Sequence, residues 1–142
     1  MVDPNLIKEL KEMREKGASK PSDALKFFEF AKQLAEENED LKEELEDIDT
    51  MVVQLVMTDV DYKYWVKMGD GTVDYGEGEG DDPSVTMSAT GATWAGLSSG
   101  EIDSTSAYMS GDLVIDGNLQ DAIAFGEIQG IATEEGAEYL KK

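Results

Sequence analysis

Met51-Val52-Val53-Gln54-Leu55-Val56-Met57-Thr58-Asp59-Val60-Asp61-Tyr62-Lys63-Tyr64-Trp65-Val66-Lys67-Met68-Gly69-Asp70-Gly71 is the stretch on which the fold turns. Its apolar side chains recur at every second position, the period of a strand with one buried face. Met51, Val53, Leu55 and Met57 share one face, opposite Thr50, Val52, Gln54 and Val56. Thr58-Asp59 turns the chain, and Val60, Tyr62, Tyr64, Val66 and Met68 then alternate with Asp61, Lys63, Trp65 and Lys67. Gly69-Asp70-Gly71 signals a hairpin, because glycine reaches the positive φ that a tight turn requires. A third strand, Thr72 to Glu77, is expected after it, weakened at its end by Gly76, Gly78 and Gly80 as suits a sheet edge.

Toward the C-terminus, Pro83 resets the direction, and Val85, Met87 and Ala89 alternate with Ser84, Thr86 and Ser88 as a fourth strand. Thr90 can cap a helix that carries Trp94 and Leu97 and ends at Gly100. Tyr108 to Gly117 reads as a fifth strand, with Met109, Leu113 and Ile115 on one face and Asp112 and Asp116 on the other. Asn118 caps the last long helix, with Asp121 in its first turn, where the helix dipole favours a carboxylate. Leu119, Ala122, Ile123, Phe125 and Ile128 spread over more than one stripe, which predicts a helix buried on two sides.

Toward the N-terminus, Leu6, Ile7, Leu10 and Met13 follow Pro4 at helical spacing, and Gly17 closes the segment. Pro21-Ser22-Asp23 restarts the chain, and Leu25, Phe27, Phe28, Phe30, Ala31 and Leu34 begin an apolar helix, a lid or a core element. From Glu36 to Glu46 the same helix is expected to continue as an acidic one, with only Leu41 and Leu45 in step with Leu34 and Ile48. Two readings fit that thin stripe: a solvated helix resting on the domain edge, or a coiled-coil-like seam that joins two copies as a homodimer.

A chain of 142 residues is long enough for one core and short for two. Its net charge of −20 repels phosphate backbones and anionic head groups, so nucleic acid is not an expected partner. Cysteine and histidine are both absent, which excludes disulfides, thiolate and imidazole metal sites, cysteine nucleophiles and histidine-based triads. No apolar run reaches the length of a membrane span or a signal peptide, and the expected setting is the cytoplasm. The run from Gly76 to Asp82 fits neither a spaced calcium loop nor a phosphate loop with its lysine. Asp112 and Asp116 could pair as glycosidase carboxylates, but nothing isolates either in an apolar setting. Ser98, Ser99, Ser104 and Ser110 lack a histidine base or a Ser-x-x-Lys lysine. The sequence therefore nominates no catalytic residue, metal ligand or cofactor.

Asp82 to Ile131 resembles the sterol carrier protein type-2, or sterol-binding domain, family. The residues that carry the likeness are Val85-Thr86-Met87-Ser88, Trp94-Ala95-Gly96-Leu97 with the Gly100 turn, and above all Ala107-Tyr108-Met109-Ser110-Gly111-Asp112-Leu113-Val114-Ile115-Asp116-Gly117-Asn118, followed by Ala122. With the hairpins from Ile48 to Gly80, the likeness covers about two-thirds of the chain. It departs from the family pattern at Asp112 and Asp116, where basic residues are common, in its strong negative charge and in the absence of a peroxisomal tail; the first two weigh against acyl-coenzyme A and direct membrane docking.

The resemblance implies an α+β fold: a five-stranded, mostly antiparallel sheet with helices packed on one face and an apolar tunnel between the layers. The expected layout is one domain over 1–142, with N-terminal helices in 1–46, the sheet and tunnel-forming helices in 47–131, and a tail helix in 132–142. It implies a non-catalytic lipid-binding or transfer protein for a fatty-acyl or sterol-like ligand. The expected wall residues are Trp94, Leu97, Ile102, Tyr108 and Met109, with Ile123, Phe125 and Ile128 on the closing helix and Phe27 and Phe28 opposite. The competing reading is a protein-interaction module that self-associates through the acidic helix.

Overall fold

The alternation from Met51 to Met57 becomes strand β1 (Met51–Met57), which pairs antiparallel with β2 (Tyr62–Gly69), Met51 facing Met68 and Met57 facing Tyr62. The computed structural model describes residues 2–16, 24–99 and 101–140. Asp61 takes a φ of 51°, a left-handed conformation that aspartate tolerates better than most residues. The turn consequently runs from Thr58 to Asp61, and Val60, expected to open the second strand, stands exposed in it. Asp70 at φ 53° and Gly71 at φ 75° supply the two consecutive positive dihedrals of a type I′ turn, and β3 (Thr72–Glu77) follows antiparallel to β2.

β4 (Val85–Ala89) runs parallel to β1 with Val53 opposite Val85, and β5 (Val114–Gly117) pairs antiparallel with β4, giving the order β3-β2-β1-β4-β5. Period two then sorts the side chains. Met51, Val53, Leu55, Met57, Tyr64, Val66, Met68, Val73, Val85, Met87 and Ala89 form one buried face. The opposite face carries Lys63, Lys67, Asp74 and Thr86, and its one buried polar residue is Gln54. The Gln54 amide donates to the carbonyls of Tyr64 and Gly78 at 3.0 Å each, and its oxygen accepts from the Gly80 N–H at 2.7 Å. These bonds fasten the acidic glycine run across the outer face. A Cβ on Gly76 would come within 2.6 Å of the Trp65 ring, so the glycine that weakens β3 is what lets Trp65 lie flat over it. Gln54→Leu strands the Gly80 N–H and should cost about 1–3 kcal/mol in urea unfolding; an unchanged midpoint would show that the loop is not held this way.

Helices cover the buried face. α1 (Pro4–Lys16) buries Leu6 and Leu10, and α2 (Ala24–Glu37) buries Phe28, Phe30, Ala31, Leu34 and Ala35. Gly17 and Pro21-Ser22-Asp23 lie outside the described residues. The acidic stretch is not a continuation of α2. Asn38, extended at φ −97° and ψ 112°, accepts from the Leu41 N–H at 3.0 Å and starts a separate helix, α3 (Glu39–Asp47). Asparagine is among the strongest N-caps, so the break follows from one residue. Leu34, Leu41 and Leu45 are fully buried within the chain, against the sheet and its neighbouring helices. Of the two readings of this stripe, the seam joining two copies is thereby corrected: Leu34, Leu41 and Leu45 belong to this domain's own core and present no surface to a second copy.

α4 (Gly91–Ser99) is capped by Thr90, whose hydroxyl accepts from the Thr93 N–H at 3.2 Å. The fifth strand is shorter than its alternation suggests. Asp103 accepts from the Ser106 N–H at 3.0 Å, Gly111 closes the other end at φ 88°, and the residues between form α5 (Ser104–Ser110). A capped start and a left-handed stop outweigh the apparent alternation of Tyr108 and Met109. α6 (Leu119–Leu140) opens on Asn118, which accepts from the Asp121 N–H at 3.1 Å, and runs unbroken through the segment expected as a separate tail helix. Its far end is tied to α2 by a hydrogen bond from Tyr139 to Glu37 and by the edge of Phe30, 6.0 Å from the Tyr139 ring. Only one stripe of α6 is covered: Ala122, Phe125, Ile128 and Ala132 are buried, while Leu119 and Ile123 are exposed. A single sheet layer buries a single stripe, so the expected second buried side is solvent-facing instead.

Candidate functional site

The layer between the sheet and α2, α3 and α6 is where the buried apolar side chains of these elements gather. Tyr62 and Tyr64 lie two positions apart on the buried face of β2, with ring centroids 5.8 Å apart. Phe28 of α2 sits 5.9 Å from Tyr64 and 6.2 Å from Phe125 of α6, so an aromatic row crosses from sheet to both covering helices. Met51, Met57, Met68 and Met87 fill the same sheet face. Methionine is unbranched and polarizable, and a layer rich in it can repack around a changed volume.

The expected wall residues fall into three groups. Phe28, Phe125 and Ile128 are buried in the layer, with Phe27 half-buried beside it. Trp94 is buried at the end of β1, where its indole N–H donates to the Val56 carbonyl at 2.9 Å. Leu97 and Ile102 are half-buried nearby, and Ile102 packs so tightly over Gly96 that a Cβ there would lie 2.3 Å from its Cδ1. Tyr108, Met109 and Ile123 stand out from the protein, Met109 being 80% and Ile123 54% exposed. Tyr62, Tyr64 and the four methionines are not among the expected wall residues, yet they line the same layer, and the alternation that defines β1, β2 and β4 places them on its apolar face.

Three phenols mark one side of this layer. Tyr75 donates to Glu29 at 2.5 Å and Tyr62 to Glu77 at 2.7 Å. Burial first, and then the adjoining Glu29 carboxylate, push the Tyr75 hydroxyl up to about 12. Tyr62 and Tyr64 are raised as well, chiefly by burial. A raised phenol favours the folded state in its neutral form. That stability is whole below the ordinary tyrosine range near pH 10 and is lost as pH climbs toward about 12. Urea unfolding of Tyr75→Phe should therefore fall less steeply above about pH 10 than that of the parent; parallel curves would contradict this.

A cleft of about 250 Å³ lies on the other side of the sheet, among Gln54, Val56, Lys63, Glu79, Pro83 and Thr86. Lys63 and Glu79, both of which line it, pair at 3.5 Å beneath the acidic loop. Among the described residues no cluster of acidic side chains is arranged to hold a metal ion, and no helix is long and apolar enough to cross a membrane.

Known structures share this architecture. The UbiJ-SCP2 ubiquinone synthesis protein superposes with a TM-score of 0.63 at 16% identity, covering 81% of this chain and 94% of its own. Sterol carrier protein 2 from Yarrowia lipolytica, in its apo form, gives 0.59 at 17% identity, with 75% and 88% covered. The stereoselective inverting sec-alkylsulfatase Pisa1 from Pseudomonas sp. gives 0.54 at 19% identity over 63% of this chain, which spans only 14% of that enzyme's length. No curated protein matches the sequence closely enough to serve as a relative. At these identities the structures establish the fold, and the sequence establishes the family: residues 30–130 match the SCP-2 sterol transfer family, and the chain belongs to it.

Proposed function

We propose that this protein is a non-catalytic carrier that holds one fatty-acyl or sterol-like lipid between its sheet and its helices. Membership of the family assigns lipid binding or transfer in general. The observation that supports the finer reading is the methionine- and aromatic-lined layer, which offers an apolar guest a lining that can rearrange. Phe28, Phe125 and Ile128 form the wall in this reading. Trp94, Leu97 and Ile102 close one end, and Tyr108, Met109 and Ile123 meet the lipid as it enters from the surface.

Burial of each methylene contributes roughly 0.8 kcal/mol, so a long acyl chain gains on the order of 10 kcal/mol before ordering costs are subtracted. Selection is by size and apolarity, and several lipids should compete. The cysteine-free composition suits a cytoplasmic carrier. The region shared with the alkylsulfatase is 14% of that chain and supplies no reason to assign its chemistry here.

Native mass spectrometry of gently purified protein should show a bound lipid of one-to-one stoichiometry, and a fluorescent fatty acid should bind and be displaced by unlabelled lipid. A protein that carries no lipid and leaves the probe free in solution would end this reading.

A further inference from the structure

Tyr64 is 3% exposed, and its ring lies between Tyr62 and Phe28 in the layer just described. Its neighbours on that side have their hydroxyls engaged: Tyr62 on Glu77, Tyr75 on Glu29. The Tyr64 hydroxyl has none. Among the described residues no hydrogen bond reaches it; the side-chain bond that Tyr64 receives, from Gln54, goes to its backbone carbonyl. Buried polar groups are almost always paired, so a solitary phenol in an apolar layer is one of the few exceptions that call for an explanation.

We propose that the Tyr64 hydroxyl is the anchor for the polar end of the bound lipid, and that this end is an uncharged oxygen, a hydroxyl or carbonyl, at the head of a long apolar body. The inference rests on the carrier reading and narrows its ligand class. A phenol both donates and accepts, which matches an alcohol or a carbonyl oxygen. An anionic head is disfavoured by what surrounds the site. Glu77 is directly opposite Tyr64 in the β2–β3 register, and Glu29 follows Phe28 on α2. The basic side chains on these elements are directed elsewhere: Lys63 pairs with Glu79 on the outer face, which Lys67 shares, while on α2 Lys32 pairs with Asp74 and Lys26 with Glu9. A carboxylate would meet two like charges without a counter-ion, in a chain that carries −20 overall. Room for the head comes from Met57 and Met87, which flank Leu55, the residue opposite Tyr64, and whose unbranched side chains on the same face can swing aside.

The test offers hexadecanol, hexadecane and palmitate together from phosphatidylcholine vesicles to the full chain and to Tyr64→Phe, and counts each bound lipid by native mass spectrometry. Partition from the vesicles is common to both proteins, so the change in the ratio of bound alcohol to bound alkane reports the anchor alone. That ratio should fall about tenfold in Tyr64→Phe, with alkane binding unaltered. Palmitate should bind the parent more weakly than hexadecanol above about pH 8. Thermal unfolding of lipid-free Tyr64→Phe should match or exceed the parent, since a solitary buried hydroxyl has been removed. An unchanged ratio, or a preference for palmitate, overturns the anchor while leaving the carrier intact. If the parent takes up none of the three lipids, the carrier reading falls and the anchor with it.

Discussion

Phe125→Ala should lower the free energy of unfolding by about 3–5 kcal/mol, the range for deleting a fully buried aromatic side chain. Phe125 is 1% exposed and stacks on Phe28 at an interplanar angle of 27°, so its loss opens a void where α2, α6 and the sheet converge. Urea unfolding measures the change as a lower midpoint with an unaltered slope. A deficit below about 1 kcal/mol would mean that methionines on the sheet have closed around the gap, or that the three elements do not meet at this residue. The variant also separates packing from carriage. If a guest lies in this layer, lipid should restore part of the lost stability to Phe125→Ala, because it binds only the folded form.

Gly69→Ala should cost on the order of 3 kcal/mol and loosen the β2–β3 hairpin. Gly69 has a φ of 135°, beyond the left-handed region that other residues visit, so an alanine strains the backbone whatever space surrounds it. Space is lacking too. A Cβ there would lie 2.5 Å from the Thr50 Cα, a backbone atom at the entry to β1 that cannot swing aside as a side chain can. The readout is the thermal midpoint together with hydrogen exchange of the β2 and β3 amides. Normal protection of those amides in the variant would refute the account.

Two of the helix boundaries that depart from expectation share one cause. Between Glu36 and Glu46 the leucine spacing suggests one continuous helix where Asn38 starts a new one, and between Asp103 and Gly111 an apparent alternation suggests a strand where Asp103 starts a helix. Asn38 and Asp103 each accept a backbone N–H three residues on, and these bonds were legible as cap chemistry in principle. Their competitors, a continuing leucine spacing and an alternating tyrosine and methionine, span too few residues to outweigh a cap. The hairpin reading at Gly69-Asp70-Gly71 did not suffer this, because φ restrictions at a turn are local and do not compete with packing.

The candidate site was legible by class and not by membership. Apolar residues lie on both faces of the last helix, yet Leu119 and Ile123 turn to solvent while Phe125 and Ile128 turn inward: residues two positions apart in a helix lie on nearly opposite faces, and only docking decides which face is covered. Tyr64 could be placed on the apolar face from sequence, but whether its hydroxyl meets a partner depends on α2 and α6, which arrive from distant parts of the chain.

By itself the sequence determined the five strands' existence, the apolar face of β1, β2 and β4, the tight turn and the caps at Thr90 and Asn118, since period two, φ and capping are properties of neighbouring residues. Tertiary structure alone decided that β1 and β4 lie side by side in parallel, that the acidic helix spends its leucines inside the domain, and that Phe28 meets Tyr64 and Phe125. Those outcomes join segments tens of residues apart, where the free energy is set by which apolar faces fit together and no local preference can choose among them.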